Sequence, residues 1–142
     1  MTATLYPGIQ ALIDELEKRN ITWGVVTNKP EAYATPLLQQ VKLHERSQAI
    51  VCPEHVKHPK PDPQALFLAC QQANCPPERS IYIGDHKRDI DAGKQAGMTT
   101  IAALYGYIND DDNPADWKAD FQAHNVKDIH QWLANQNWAI KT

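Results

Sequence analysis

Apolar residues Ile9, Leu12, Ile13 and Leu16 recur at i, i+3, i+4 and i+7, the spacing of one helix face, behind a Pro7-Gly8 start. Ile21 to Thr27 is a mostly apolar run that ends in Thr27-Asn28-Lys29, the pattern of a buried strand meeting a loop. Ala34, Leu37, Leu38 and Val41 return to helical spacing. Pro36 has no N–H to give, so the regular helix is expected to begin there with Thr35 as its cap. Ala49-Ile50-Val51 reads as a second strand, followed by a Pro- and His-rich loop from Pro53 to Pro61. Asp62 is placed as an N-cap with Pro63 at the first helical position, and Leu66, Ala69, Cys70 and Ala73 form the buried face behind it. Ile81-Tyr82-Ile83 is a third strand running into Gly84-Asp85. Lys87 to Ala96 is helical and closed by Gly97, and Thr99 to Leu104 is a fourth strand. Residues 105–121 are polar and irregular, and Val126, Ile129, His130 and Leu133 mark a last amphipathic helix.

Strands alternating with helices predict a mostly parallel sheet covered on both faces, a three-layer α/β/α sandwich of the Rossmann-like kind. Ligands in such sheets bind beyond the carboxyl ends of the strands, where Thr27-Asn28 and Gly84-Asp85 fall. No repeat, low-complexity stretch or linker divides residues 1–142, so one domain is expected. Charge changes the picture only by exclusion. A net charge of −3 and a pI near 6.0 offer no basic surface for nucleic acid or anionic lipid. No apolar run approaches the roughly 20 residues that cross a bilayer. The opening residues lack a basic stretch followed by an apolar one, and the three cysteines cannot all pair within the chain. A cytoplasmic protein with reduced Cys52, Cys70 and Cys75 is the expectation.

The chemistry concentrates in Ile-Tyr-Ile-Gly-Asp-His-Lys-Arg-Asp-Ile-Asp-Ala-Gly, residues 81–93. A strand delivers Asp85 to its carboxyl end, and Asp89 follows one helical turn later. Two carboxylates so placed suit Mg²⁺, which binds few carboxylates and keeps several waters. An Asp that only caps the helix would carry the same residues. Thr27 and Asn28 offer a hydroxyl and an amide at another strand end, both competent to bond a phosphoryl oxygen and both common in ordinary turns. Lys60 stands before Pro61-Asp62-Pro63, where an ammonium can neutralise phosphate charge or simply be solvated.

Taken in order, Thr27-Asn28, Lys60-Pro-Asp-Pro and Gly84-Asp85-x-x-x-Asp89 resemble the second, third and fourth motifs of the haloacid dehalogenase-like superfamily. Leu5-Tyr6-Pro7-Gly8 is similar to the segment that returns from the cap domain to the core. Gly106-Tyr107-Ile108, with Pro114-Ala115-Asp116-Trp117 and Ala119-Asp120, resembles the tail of phosphoglycolate phosphatase-like members. The resemblance implies hydrolysis of a small phosphate monoester, phosphoglycolate or a sugar phosphate, through an aspartyl-phosphate. It also implies Mg²⁺ as cofactor, with Asp85 as a ligand and Asp89 supporting the metal site. Thr27, with Asn28 beside it, would hold the phosphoryl group, and Lys60 would balance its charge.

The family's first motif, a strand followed by Asp-x-Asp-Gly-Thr, has no counterpart. Asp89-x-Asp91 already belongs to the fourth motif, Asp110-Asp111-Asp112 follows no strand, and Asp14 sits inside a helix pattern. The chain is therefore expected to be the C-terminal core of a capped phosphatase, without its cap, its nucleophile strand or activity of its own. Loss of that central strand would leave facing rows of unpaired backbone groups, across a gap near twice the ~4.8 Å strand spacing. A homodimer or a rearranged sheet is expected in response. A phosphomutase or dehalogenase branch and a non-catalytic binding module are the rival readings. Cys52-x-x-His55-x-x-His58 raises a zinc site as a side possibility, in a segment that also matches the loop before the lysine motif.

Overall fold

The computed structural model describes residues 9–27, 30–40, 47–104 and 113–134. Five α-helices and five strands occur among them, alternating up to β4, after which only a 3₁₀ turn (Pro114–Trp117) is described before β5: α1 (Ile9–Lys18), β1 (Gly24–Val26), α2 (Glu31–Gln40), β2 (Ala49–Val51), α3 (Gln64–Ala73), β3 (Ile81–Gly84), α4 (Lys87–Gln95), β4 (Thr99–Ala103), β5 (Phe121–Ala123) and α5 (Val126–Ala134). Every strand pair is parallel, as the alternation of strand and helix requires.

The strands form two sheets, β1–β2 and β3–β4–β5. Leu12 and Leu16 of α1 and Val126, Ile129 and Leu133 of α5 pack on Ile81 and Ile101. On the other face, Leu66 of α3 packs with Ala92 and Ala96 of α4 against Val26 and Tyr82. Ile90 of α4 packs with Ala102 and Trp117. Odd and even strand positions thus feed opposite layers, which gives the expected α/β/α sandwich. The Val26–Tyr82 cluster crosses from one sheet to the other.

Several boundaries differ from the sequence reading. The run from Ile21 contributes only Gly24–Val26 to a ladder, because the Ile21 N–H returns to the Leu16 carbonyl at 2.8 Å and closes α1 instead. Helix α2 starts at Glu31 and carries Pro36 inside it. A proline there forfeits one helical hydrogen bond. The helix gains elsewhere, since both Glu54 carboxylate oxygens accept the Glu31 N–H, at 3.0 and 3.2 Å, a negative group at the positive end of the helix. The N-cap of α3 is Pro63 rather than Asp62, which accepts the Gln64 N–H at 2.9 Å from one residue further back, and the helix begins at Gln64. Strand β5 falls at the end of the stretch read as irregular. Asp120 positions it by accepting the Thr100 N–H at 2.8 Å and the Thr100 hydroxyl at 3.1 Å. Leu5 to Gly8, Val41, Gly106 to Ile108 and Asp110 to Asp112 lie outside the described residues.

Candidate active site

The carboxyl ends of β1 and β3 meet around one buried lysine. Lys60 follows β2 and its loop, ahead of α3, and is joined to Pro61 by a cis peptide bond. Its side chain is 5% exposed and its ammonium lies 2.6 Å from Asp89 Oδ1. It also donates to the Tyr82 hydroxyl at 2.7 Å and to the Val26 carbonyl at 3.3 Å. A charge removed from water needs a partner, and Asp89, 6% exposed, supplies it.

Asp89 does more than pair with Lys60. Its Oδ2 accepts the Asp85 and His86 N–H groups, each at 3.1 Å. That closes the turn between β3 and α4, so one carboxylate ties lysine, turn and helix start together. Gly84 permits the arrangement, because a Cβ there would meet the Asp89 Cβ at 2.2 Å. The glycine of the motif is thus a demand of close approach.

Asp85 stands at the end of β3 with 34% of its side chain exposed, and its Oδ1 lies 2.6 Å from His86 Nδ1. Ligand atoms of Asp85, His86 and Asp89 fall within 4.8 Å of one another, the one such group among the described residues. The set fits a hard divalent cation through Asp85. The oxygens of Asp89 already carry Lys60 and two backbone donors, which suits it to holding the site's shape.

Tyr82 and His86 were not singled out by sequence reasoning. Tyr82 looks like one apolar position of a strand, yet its hydroxyl donates to the Val26 carbonyl at 3.2 Å and so reaches from β3 to β1. Burial first, then the carboxylates of Asp89 and Asp85, push its phenol well above the ordinary value, with Arg88 opposing. The group is therefore a neutral donor. His86 occupies a variable position of the motif, and only the fold shows its ring against Asp85.

Thr27 follows β1 directly, its N–H bonded to the Val51 carbonyl at 3.0 Å, one residue from the carbonyl that Lys60 reaches. Asn28 lies outside the described residues. Thr27, Lys60, Asp85 and Asp89 therefore gather at one end of the sheets. The zinc possibility does not form. His55 accepts the Cys52 N–H on Nδ1 at 3.0 Å and meets Glu31 of α2 through Nε2 at 2.9 Å, so both ring nitrogens are engaged.

The haloacid dehalogenase-like hydrolase family matches residues 1–103. The chain is 49% identical over 116 residues to an N-acetylmuramic acid 6-phosphate phosphatase of Pseudomonas putida, covering 82% of this chain and 52% of that protein. It is 36% identical over 118 residues to a phosphoglycolate phosphatase of Xanthomonas campestris, covering 83% and 53%. The chain spans about half the length of these curated relatives. Among solved structures, one described as a predicted phosphoglycolate phosphatase from Haemophilus somnus superposes with a TM-score of 0.84 at 25% identity, over 92% of this chain and 57% of that one. A β-phosphoglucomutase-like structure from Thermotoga maritima shares the fold at a TM-score of 0.80 and 21% identity, over 92% and 60%. Motif order, buried lysine and relatives agree: the chain belongs to the haloacid dehalogenase-like hydrolase family.

Proposed function

We propose that this chain is the catalytic-core portion of a Mg²⁺-dependent phosphatase acting on a small phosphate monoester. Phosphoglycolate and a phosphorylated sugar acid of the N-acetylmuramic type are the two substrate candidates, because the relatives bear those names. The observation that carries the reading is Lys60, a buried ammonium held by Asp89 beside the carboxyl ends of β1 and β3. There it balances the charge of a phosphoryl group. Thr27 supplies a hydroxyl and Asn28 an amide to the same oxygens. Asp85 would hold Mg²⁺, and Asp89 keeps the turn in register. Bound there, the cation neutralises phosphate charge.

No Asp-x-Asp-Gly-Thr follows a strand in these 142 residues. By this reading the chain alone does not turn substrate over. The same observation favours a second reading, a non-catalytic phosphate-binding module of the same ancestry. A metal-free dehalogenase fits less well, given Gly84-Asp85-x-x-x-Asp89. The working partner is a small phosphorylated metabolite, and the cytoplasm, which suits a chain with three free thiols, is the working location.

The seam between β1 and β3 supports a homodimer. Among the described residues no strand lies between them. Bonds to β2 use the Thr27 N–H and Trp23 carbonyl, and the bond to β4 uses the Ser80 carbonyl. By alternation, the backbone groups of Gly24 and Ile81 face the seam. Self-association covers such edges. Sedimentation equilibrium that returns a monomer at every concentration defeats this part.

The site is tested by calorimetric Mg²⁺ titration of the chain. Asp85→Asn abolishes binding while Asp91→Asn, whose carboxylate pairs with Lys87 at 2.8 Å on the surface of α4, leaves it intact. Equal loss in both variants, or in neither, rejects the assignment.

A further inference from the structure

Helix α3 ends in a way that brings two cysteines together. Asn74 turns left-handed, at φ 57° and ψ 44°. The Asn74 N–H bonds the Gln71 carbonyl at 3.2 Å, and the Cys75 N–H bonds the Cys70 carbonyl at 3.0 Å. These are the two bonds of a Schellman closure, in which the residue after the left-handed one sets its side chain against the helix's final turn. That contact is usually apolar. Here its two members are Cys70 and Cys75.

Covalent geometry limits Cα atoms joined by such a backbone bond to a separation of about 7 Å. A disulfide spans roughly 4.4–6.8 Å. Both residues also line one open depression of about 490 Å³, with Phe67, Gln71 and Pro76 on its walls. Phe67 is 46% exposed there, so a small reagent has access to an apolar wall beside the thiols. Cys52, 1% exposed at the end of β2, does not line the depression.

We propose that Cys70 and Cys75 form a reversible redox site that closes to an intramolecular disulfide on reaction with a small-molecule disulfide. Cys75, the more exposed of the two, attacks one sulfur of the reagent as its thiolate. The reagent's S–S bond breaks, and its other half leaves as a thiolate that takes a proton. Cys70 then gives up its proton and attacks the Cys75 sulfur of the mixed disulfide, releasing the second half of the reagent. The protein loses two electrons and two protons, and the reagent gains both as two thiols.

Burial pushes the Cys70 thiol up, the Ser80 hydroxyl opposes that, and the charges of Cys75 and Glu78 add to it, which leaves the first attack to Cys75. Closure surrenders only weak sulfur contacts, Cys70 to the Ser80 hydroxyl at 3.9 Å and Cys75 to the Ala73 carbonyl at 3.5 Å.

The test equilibrates the chain in glutathione buffers from reducing to oxidising, quenches in acid, unfolds it and alkylates the remaining thiols for mass spectrometry. The number of alkylated cysteines is expected to fall from three to one, with residues 70 and 75 cross-linked in the peptide map, and dithiothreitol is expected to restore all three. Cys75→Ser retains both remaining thiols throughout, while Cys52→Ser still closes. Wild-type chain that keeps three alkylatable thiols at every ratio overturns the proposal. So does a glutathione adduct on Cys75 that never resolves, or a disulfide that includes Cys52.

Discussion

The two sheets differ in how far they are finished. In β3–β4–β5, the central strand β4 has a partner on each side, and Ile101 and Ala102 are fully buried. In β1–β2, the outer strand β2 buries Ala49 and Val51, yet β1 leaves Gly24 exposed and Val25 and Val26 half-buried. The same decline occurs on the other side of the seam, where Ile83 of β3 is 36% exposed while β4 beyond it is buried. Parallel strands are ordinarily covered on both faces. Burial therefore falls toward the seam from both directions, and the chemical residues sit there. Lys60 reaches Val26 in one sheet and Asp89 and Tyr82 in the other.

Removing the clasp is expected to have the largest effect. Asp89→Ala leaves a buried ammonium and two turn N–H groups without their acceptor, and is expected to cost about 3–5 kcal/mol in urea unfolding. The matching cut in the other half, Glu54→Ala, removes only an exposed cap of α2 and is expected to cost about 1 kcal/mol. Equal losses would mean that the seam is not where stability is concentrated.

Tyr82→Phe is next, at about 1–2 kcal/mol, since Lys60 loses an acceptor and the Val26 carbonyl a donor. It also has a pH signature. The folded chain holds the phenol above its ordinary value of 10, so the folded state keeps a proton that the unfolded chain releases. Its contribution to stability is intact below about pH 10 and falls as the pH rises further. Wild type is expected to lose stability in that range more steeply than Tyr82→Phe, and parallel alkaline unfolding curves would contradict the burial of the hydroxyl.

Hydrogen exchange sharpens the comparison without mutation. The amides of Val25 and Val26 are expected to exchange at least tenfold faster than those of Ile101 and Ala102, an opening free energy smaller by about 1.4 kcal/mol. Uniform protection would place both sheets in one cooperative unit. The smallest stability effect belongs to Asp85→Asn, below about 0.5 kcal/mol for a partly exposed side chain outside the clasp.

Most of the layering was legible in sequence, because helical and strand periods are properties of the residues themselves. The nearness of Asp85, Asp89, Lys60 and Thr27 was legible from motif order, since Thr27 and Asp85 follow strands while Lys60 precedes α3 and Asp89 opens α4. What sequence could not supply depends on distant contacts. Helix α2 carries Pro36 inside it and starts earlier, at Glu31, whose N–H is capped by Glu54, 23 residues away. Strand β5 is three residues long and is fixed by Asp120 bonding Thr100 across the sheet. The reach of Tyr82 spans 56 residues to Val26. A single residue's type carries no sign of such partners.

The proposed phosphatase site of Lys60, Asp85 and Asp89 has no Asp-x-Asp-Gly-Thr beside it in these 142 residues. The direct measurement joins this chain to the part of the Pseudomonas putida N-acetylmuramic acid 6-phosphate phosphatase that the similarity does not cover. Hydrolysis of that substrate is then followed with and without Mg²⁺. The account predicts Mg²⁺-dependent turnover in the joined protein, loss of that turnover in both Asp85→Asn and Lys60→Ala, and none in the chain alone. A folded joined protein that is inactive, or one whose rate survives either substitution, would contradict it.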